Sequence, residues 1–308
     1  MTPIFRRARH PPWVYAQRIL RNVWNDPAVR GERGRAIART IGWNAYKRLI
    51  RRPVTRELVE GVRIRCYPDS SISSKVVYLG GFPDRRELEF LRHYLRPGDR
   101  VLDCGANIGT YALLLGRLVG PNGRVLAFEP FAPIRARLEE NIALNRFQDR
   151  VQVFPEALSN KPGVLEFITD QDTANRFASG NDPADARRTE VPVTTLDQRI
   201  AEQLAFAKVD VEGAEMHVLQ GAETLLRTAP PVVWQFEVVD HLLEKQGCTS
   251  AQLYDFLEGH GYVFAVFDSE NHRLKRCSPH GHHDILAVLG ARWDEVLRRL
   301  ESKSSARC

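Results

Sequence analysis

From about residue 84 onwards, short apolar segments alternate with amphipathic segments, and this alternation strongly limits the folds open to the chain. The amphipathic segments have helical spacing, for example over 84–98, 134–145 and 213–227. Strands that alternate with helices form a parallel sheet, because each helix returns the chain and covers one face. The pattern therefore predicts an α/β doubly wound sheet. The apolar segments predicted as its strands are 100–104, 123–130, 151–155, 206–211, 231–239, 262–268 and 284–290.

Two features complete the predicted sheet. The last two strands, 262–268 and 284–290, follow each other without a helical pattern between them, which predicts a final antiparallel hairpin. Between the third and fourth strands, two shorter strand-like pieces, GVLEFIT and EVPVTT, flank a polar segment over about 170–190. That segment is rich in loop-forming residues. We interpret it as a mobile substrate loop over the site.

Charge divides the chain into a basic leader and a mildly acidic main part. Residues 1–60 contain 14 Lys and Arg against 4 Asp and Glu, whereas the remaining residues contain 30 against 34. The leader also carries apolar residues at helical spacing, which predicts a basic helical N-terminal extension over 1–60. The predicted main domain covers 61–292, and a C-terminal tail follows over 293–308.

Composition excludes several protein classes. Hydrophobic residues make up 43% of the chain and charged residues 27%, which is typical of a folded globular protein. Apolar runs stay shorter than the roughly 18 residues of a membrane-spanning helix. The basic start lacks the apolar stretch of a secretory signal. The five cysteines are scattered and odd in number, which favours a reduced compartment. We therefore predict a cytoplasmic protein, with peripheral membrane contact as an alternative.

The basic amphipathic leader is compatible with several roles. Its apolar stripes can pack on the main domain while the arginines face water. It can also dock on an anionic membrane surface or on an acidic carrier. Nucleic acid is not predicted as a partner, because no aromatic stacking motif or recognition-helix pattern accompanies the charge.

Three predicted strands end in residues suited to an adenosine-containing ligand, at the edge where doubly wound sheets bind ligands. A glycine turn after the first strand lets the backbone approach the ligand and directs a helix N-terminus towards it. Glu129 after the second strand can accept hydrogen bonds from both ribose hydroxyls, and Glu156 with Ala157 can serve the adenine. The predicted cofactor-binding residues are Asp103, Gly105, Asn107, Gly109, Glu129, Glu156, Ala157 and Asp210.

The spacing of the turn decides between two ligands. A dinucleotide site has three glycines, the second of which makes room for a pyrophosphate. This chain has Asn107 at the second place and no third glycine, and Asp103 before the turn would repel a pyrophosphate. A carboxylate is favourable if the ligand carries an ammonium and a sulfonium. The turn therefore favours S-adenosylmethionine over a nicotinamide dinucleotide.

Several segments resemble the FkbM-type S-adenosylmethionine-dependent methyltransferases. They are VLDCGANIGTYALLLG, VLAFEP, ALSN with the following Gly163, VTTLDQ and KVDVEGAEMHVLQGAETLL, within a core of about 76–240. The resemblance implies a class I methyltransferase, Rossmann-like fold with a mostly parallel seven-stranded sheet. It also implies O-methylation of a hydroxyl on a sugar or a natural-product scaffold. The leader lies outside the resemblance.

Two carboxylates follow the fourth predicted strand. Methyl transfer is an in-line displacement that depends on positioning, and an alcohol acceptor benefits from a general base. Asp210 and Glu212 stand two apart in an extended stretch, so we expect both to face the cofactor edge. We predict them as the catalytic residues: one contacts the methionine end of the cofactor or a metal, and the other orients or deprotonates the acceptor.

Metal sites are weaker predictions. Asp210, Glu237 and Asp240 could together offer oxygen ligands for Mg²⁺, which would lower the pKa of an acceptor hydroxyl. No resident metal is predicted, because acidic residues at strand ends are common without one. Four histidines, His272, His280, His282 and His283, crowd the last connection with Cys277, but a loop does not guarantee convergence.

The leading prediction is therefore an O-methyltransferase that acts on a small-molecule or glycan acceptor, such as a sugar, a glycolipid or a secondary metabolite. A non-catalytic cofactor-fold module that binds a partner through its leader is the main alternative. A nicotinamide-dependent oxidoreductase is the third reading. N-methylation also stays open, although the Asn-Pro-Pro-Tyr-like signature for planar amino groups is absent from the sequence.

Overall fold

The computed structural model describes residues 12–169, 175–179, 182–183 and 185–304 of the 308. The described residues contain twelve α-helices and fourteen strands. The helices are α1 (Pro12–Asn25), α2 (Arg33–Leu49), α3 (Ser71–Leu79), α4 (Arg85–Tyr94), α5 (Thr110–Val119), α6 (Ala132–Asn145), α7 (Leu196–Arg199), α8 (Glu215–Gln220), α9 (Glu223–Thr228), α10 (Asp240–Lys245), α11 (Ser250–Gly259) and α12 (Trp293–Ser304). The strands are β1 (Val54–Val59), β2 (Val62–Cys66), β3 (Arg100–Cys104), β4 (Arg124–Phe128), β5 (Val151–Phe154), β6 (Ala157–Leu158), β7 (Gly163–Ile168), β8 (Arg176–Phe177), β9 (Arg188–Thr194), β10 (Phe206–Val209), β11 (Val233–Glu237), β12 (Tyr262–Asp268), β13 (Arg273–Arg276) and β14 (Asp284–Leu289).

A large sheet forms the centre of the molecule, with strand order β13-β12-β14-β11-β10-β3-β4-β5. Strands β5, β4, β3, β10 and β11 run parallel, and β14 lies antiparallel between β11 and β12. Apart from the exposed Arg100 at the start of β3, strands β3 and β10 are buried on both faces, as central parallel strands are. The α/β doubly wound class predicted from the alternation is therefore confirmed.

The strand count differs from the expectation of seven. Strands β12 and β14 are antiparallel neighbours, as predicted, but the chain between them adds an eighth strand, β13, on the other side of β12. Its four residues, Arg273–Arg276, are mostly exposed and basic, so they carry no apolar strand signal. They pair with the edge of β12, which would otherwise leave backbone groups unpaired.

The insertion after β5 forms a second sheet of four strands, in the order β6-β9-β7-β8. The two strand-like pieces form β7 and β9, which pair antiparallel from Gly163↔Val193 to Ile168↔Arg188. Part of the predicted substrate loop, Arg176–Phe177, pairs with β7. Residues 170–174, 180–181 and 184 of that loop lie outside the described residues, so its predicted mobility stays a prediction.

The leader contains α1 and α2, and their inner sides pack on the main domain. Trp43 is buried and donates a hydrogen bond from Nε1 to Ser74 Oγ at 3.0 Å. Arg39 donates from Nε to the carbonyl of Tyr78 at 3.1 Å. The predicted boundary at residue 60 falls in the turn of the β1–β2 hairpin.

The segment predicted as a tail is helical over Trp293–Ser304 and packs on α4 and its C-terminal loop. Arg299 donates from Nη1 to Asp99 Oδ2 at 2.8 Å, and Val296 and Leu300 are buried. None of the described helices combines the length and the apolar character of a membrane span. Four cysteines of the described residues, Cys66, Cys104, Cys248 and Cys277, are free thiols.

Candidate active site

The direction of the strand order reverses at β3, which has β4 on one side and β10 on the other. Ligands bind outside the carboxyl ends of strands at such a point. The turn after β3 approaches the end of β10 closely: the Asp210 N–H donates to the Cys104 carbonyl at 3.0 Å. Gly105 has φ +85°, and a Cβ there would lie 2.0 Å from the Asp210 carbonyl oxygen. Only glycine permits this approach.

A cleft with an empty volume of about 550 Å³ opens at these strand ends. Its size is in the ordinary range for a cofactor site. Six of the predicted site residues line it: Gly105, Asn107, Glu129, Ala157, Asp210 and Glu212. Three others, Asp103, Gly109 and Glu156, do not. The remaining lining residues are Cys104, Phe128, Pro130, Leu158, Phe167, Asn175, Phe177 and Val211.

Glu129 organises the turn that it faces. Its Oε2 accepts the N–H of Asn107 at 3.0 Å, and its Oε1 accepts the N–H of Phe131 at 2.9 Å. Burial raises the pKa of Glu129 to about 7. Each carboxylate oxygen has a second lone pair, so the group can still accept hydrogen bonds from two hydroxyls. Glu129 therefore remains the predicted partner of the ribose hydroxyls.

Of the two residues predicted to contact the adenine, only Ala157 lines the cleft. The Glu156 carboxylate forms an ion pair with Arg199 through Oε1. The other oxygen, Glu156 Oε2, is buried and has no hydrogen-bond partner among the described residues. Phe128, Leu158 and Phe177 are apolar residues that line the cleft and are called here the apolar wall. The aromatic rings of Phe128 and Phe177 offer a stacking surface for adenine, which the sequence did not predict.

Asn175 is a second residue that sequence reasoning missed. It follows the part of the predicted loop that is not described, lines the cleft and has a buried Oδ1 without a partner among the described residues. A buried acceptor without a donor is costly, so a ligand N–H or O–H in the cleft would stabilise it. The glycine turn, Glu129, the apolar wall and Asn175 together fit an adenosine-containing cofactor.

Asp103 lies on the opposite face of β3 from the cleft residue Cys104, because side chains alternate along a strand. It is fully buried and pairs in register with Lys208 of β10. Burial raises the pKa of Asp103 to about 6, while the Lys208 charge opposes that shift. Its position supports an electrostatic effect beneath the cleft and not the direct ligand contact that the sequence suggested.

Lys208 and Asp210 form an ion pair at the end of β10. Lys208 is buried, and its Nζ donates to Asp210 Oδ2 at 2.7 Å. The same ammonium stands 4.5 Å from the centre of the Tyr111 ring. Although burial favours the neutral amine, the carboxylates of Asp210 and Asp103 raise the pKa of Lys208 above its ordinary value. The Lys208 ammonium therefore holds the Asp210 carboxylate in position at the end of β10.

Glu212 has a different environment. It sits at φ +56°, a conformation that non-glycine residues adopt rarely and that is common at functional sites. Burial, together with the charges of Asp210 and Glu237, raises the pKa of Glu212 to about 8. A carboxyl group in a cleft with a pKa raised in this way is a candidate general acid or base.

Glu215 holds the strained turn in place. Its Oε1 accepts the N–H of Gly213 at 3.1 Å and that of Val211 at 3.4 Å, and its side chain is buried. Burial raises the pKa of Glu215 to about 7. The sequence showed this carboxylate within the Asp-Val-Glu-Gly-Ala-Glu string, but not that its oxygen bonds the backbone around Glu212.

The side chains considered for Mg²⁺ do not assemble into a site. The Asp210 carboxylate pairs with Lys208. Among the described residues, the carboxylates of Asp210, Glu237 and Asp240 do not come together as a group that could hold a metal ion. A magnesium site there is therefore not supported. The loop histidines also separate: His280 packs on the Tyr254 ring, whereas His272 stacks on His93.

A second cavity, with an empty volume of about 300 Å³, lies on the α4 side of the sheet. Arg86, Glu87, Gln235 and Asp284 line it together with six apolar residues. Asp284 stands directly opposite Glu237 across the β11–β14 ladder, although like charges in that position destabilise a sheet. Burial raises the pKa of Glu87 to about 7 and also raises that of Asp284.

Similarity to known proteins shows to which family this site belongs. The family model of the methyltransferase FkbM domain matches residues 103–264, more than half of the chain. The chain belongs to the FkbM methyltransferase family. The matched segment contains the glycine turn, Glu129 and the Asp210–Glu215 segment. The resemblance found in the sequence is thus confirmed, and residues 103–264 form a methyltransferase domain of the FkbM type.

Individual relatives cover the chain in part. The AMB antimetabolite synthetase AmbE of Pseudomonas aeruginosa is 31% identical over 216 residues, which are 56% of this chain and 10% of that protein. The 31-O-demethyl-FK506 methyltransferase FkbM of Streptomyces tacrolimicus is 32% identical over 169 residues, 44% of this chain and 64% of that protein. The chain therefore spans less than two thirds of either relative. A solved structure of methyltransferase FkbM from Methylobacillus flagellatus is 17% identical with a TM-score of 0.41, over 82% of this chain and 59% of that one.

Proposed function

We propose that the protein methylates a hydroxyl of a small, hydroxyl-rich acceptor, such as a sugar, a glycolipid or a secondary metabolite. The observation that carries the proposal is the carboxylate of Glu212, which lines the cofactor cleft with a pKa raised to about 8. A general base works best when its pKa lies near the working pH. When bound, S-adenosylmethionine supplies a methyl group that an oxygen nucleophile can attack.

Different residues around the cleft bind different parts of the cofactor. Glu129 accepts the ribose hydroxyls, and Phe128, Leu158 and Phe177 cover the adenine. Asp210, positioned by its ion pair with Lys208, faces the ammonium of the methionine end. A carboxylate attracts an ammonium strongly where water is largely excluded.

Glu212 takes the proton of the acceptor hydroxyl as the oxygen attacks. The Asp210 carboxylate is held by Lys208 Nζ, whereas the pKa of Glu212 is raised to about 8, which suits Glu212 to accept a proton. The bonds of Glu215 to the backbone of Val211 and Gly213 keep the Glu212 side chain in the cleft. Positioning of this kind supplies much of the rate enhancement in displacement reactions.

The carboxylates near Glu212 support a hydroxyl-rich acceptor. The charges of Asp210 and Glu237 act on Glu212, and Asp284 lies opposite Glu237 across the β11–β14 ladder. Carboxylates accept hydrogen bonds from several hydroxyls at once and repel anionic acceptors. One relative, by its name, acts on an O-demethyl compound, which favours oxygen over nitrogen.

A screen of acceptors with isotope-labelled S-adenosylmethionine tests the proposal. Sugars, glycolipids and polyhydroxylated metabolites are offered beside amines of similar size, and product mass and the labelled position are read. The proposal expects label on oxygen, with turnover reduced about 100-fold or more in Glu212→Gln while cofactor affinity stays unchanged. Transfer to amines alone, or full turnover in Glu212→Gln, would overturn it.

We propose further that the leader docks the enzyme on an anionic membrane surface. The outer side of α2 presents Ile41 and Leu49, which are 57% and 82% exposed, in one row with the small residues Ala38 and Ala45. Arg48, Arg51 and Arg52 flank the end of this row, and all are exposed. Apolar side chains framed by arginines complement a negatively charged lipid surface.

A further inference from the structure

Three potential metal ligands from distant parts of the sequence meet on the far side of α4. Glu89 and His93 lie one helical turn apart on α4, and His272 lies in the turn between β12 and β13. One ligand atom of each side chain lies within 4.8 Å of the other two. A group that mixes two imidazoles with a carboxylate is a common ligand set for zinc.

His93 is oriented as a ligand would be. Its Nδ1 lies 2.7 Å from the Glu89 backbone carbonyl oxygen, which can only accept a hydrogen bond. Nδ1 therefore carries the proton, and the lone pair is on Nε2. Metal-bound histidines are typically held in this way, with one nitrogen bonded to a carbonyl and the other free to coordinate.

Two further observations support His272 as a metal ligand. Its backbone has φ +50°, a conformation that is unusual away from glycine and that here turns the imidazole onto the His93 ring, with 4.4 Å between the ring centres. Its Nδ1 is buried and has no hydrogen-bond partner among the described residues. A buried ring nitrogen without a partner costs free energy, which a bound cation would offset.

Glu89 supplies the anionic ligand. One of its oxygens, Oε1, accepts a hydrogen bond from Arg92 Nη1 at 2.8 Å, and Arg92 also pairs with Glu60. The other carboxylate oxygen remains to coordinate. The Arg92 contact orients the carboxylate in the manner of the outer partners of metal ligands.

We propose that Glu89, His93 and His272 bind a divalent transition metal of the zinc type, with water in the fourth position. Imidazole nitrogens favour zinc over magnesium or calcium, which prefer oxygen ligands. The metal would join α4 to the β12–β13 hairpin. Phe267, which lines the second cavity, packs against both His93 and Phe90, so the metal would also hold that wall.

The test uses full-length, tag-free protein that has been stripped with a chelator. Calorimetry with Zn²⁺ is expected to give one site of micromolar or tighter affinity, and Co²⁺ should give the visible absorption of a low-symmetry site. Saturating Zn²⁺ should raise Tm by about 5 °C. Glu89→Gln and His272→Ala should each weaken binding at least about 10-fold.

His283→Ala is the matched control, because His283 is an exposed histidine of the following loop. It should bind Zn²⁺ as the unchanged protein does. The Tm of each metal-free variant shows whether it folds, and Glu89→Gln keeps the shape of the side chain if His272→Ala does not fold. Absent binding, or binding that neither substitution weakens, would overturn the proposal, and methyl transfer need not be measured.

Discussion

The ammonium of Lys208 lies 2.7 Å from Oδ2 of Asp210, at the point where β10 ends beside the glycine turn. The lysine is buried, whereas the aspartate side chain is 29% exposed towards the cleft. A buried charge needs its partner, so Asp210 is the counter-charge of Lys208, and Glu212 is the second carboxylate at this strand end. These two carboxylates underlie the first two predictions.

Removal of the Asp210 charge should destabilise the fold as well as the cofactor site. We expect Asp210→Asn to lower the free energy of unfolding by about 2 kcal/mol, because Lys208 loses its closest counter-charge. In the double variant with Lys208→Met, much of that loss should be recovered, since no buried ammonium remains. Urea unfolding of the unchanged protein, the two single variants and the double variant gives the coupling free energy between the two side chains. Additive losses in the double variant would contradict the prediction.

The rate of methyl transfer should follow the ionisation of Glu212. Because the pKa of this carboxyl is raised to about 8, most of it is protonated at pH 6.5, and kcat/KM should rise about tenfold per pH unit until near pH 8. Glu212→Asp should keep a pH-dependent rate, whereas Glu212→Gln should leave a low rate without that dependence. A flat profile in the unchanged protein would exclude Glu212 as the base.

Stability should fall as the pH rises from about 5 to 8 in the protein without cofactor. Burial raises the pKa of Glu129, Glu215 and Glu87 to about 7 from an ordinary value of 4.5. Between those values the folded state holds protons that the unfolded state has lost, so higher pH favours unfolding. Scanning fluorimetry should show Tm falling by about 5 °C or more.

The control for this pH dependence is Glu215→Gln, which removes one of the titrating groups but keeps the side-chain shape. Its Tm should change less between pH 5 and 8 than that of the unchanged protein. A Tm that is constant or rises over that range would show that these carboxyls titrate normally.

Gly105→Ala should be strongly destabilising. A Cβ at this position would lie 2.0 Å from the Asp210 carbonyl oxygen, at φ +85°. We expect a loss of about 3 kcal/mol and no measurable cofactor binding. Gly98→Ala is the matched control, because Gly98 has φ +93° but nothing within 4 Å of the added Cβ. It should cost only about 1 kcal/mol. Equal losses of stability in the two variants would show that the whole effect comes from the positive φ and not from the close approach to the Asp210 carbonyl.

The membrane proposal predicts sedimentation of the protein with vesicles that contain anionic lipid, and not with neutral vesicles. Leu49→Asp should abolish this binding, and high salt should weaken it. Val164→Asp is the control, since Val164 is a 60% exposed apolar residue on the insertion sheet. If the two variants sediment alike, the α2 surface is not the docking site.

The sequence by itself determined the fold class, the family and the edge of the sheet where the site lies. The alternation of apolar and amphipathic segments, the Gly105 turn and the carboxylates after successive strands were sufficient, because strand direction brings these ends together. Only the tertiary structure decided which side chains meet in space. Asp103 faces away from the cleft, Glu156 pairs with Arg199, and Asn175 reaches the cleft from the insertion. Proton affinity is likewise decided by burial and by neighbouring charges, neither of which has a signature in residue order. For the same reason His272 meets Glu89 and His93 far along the chain, and not the histidines beside it.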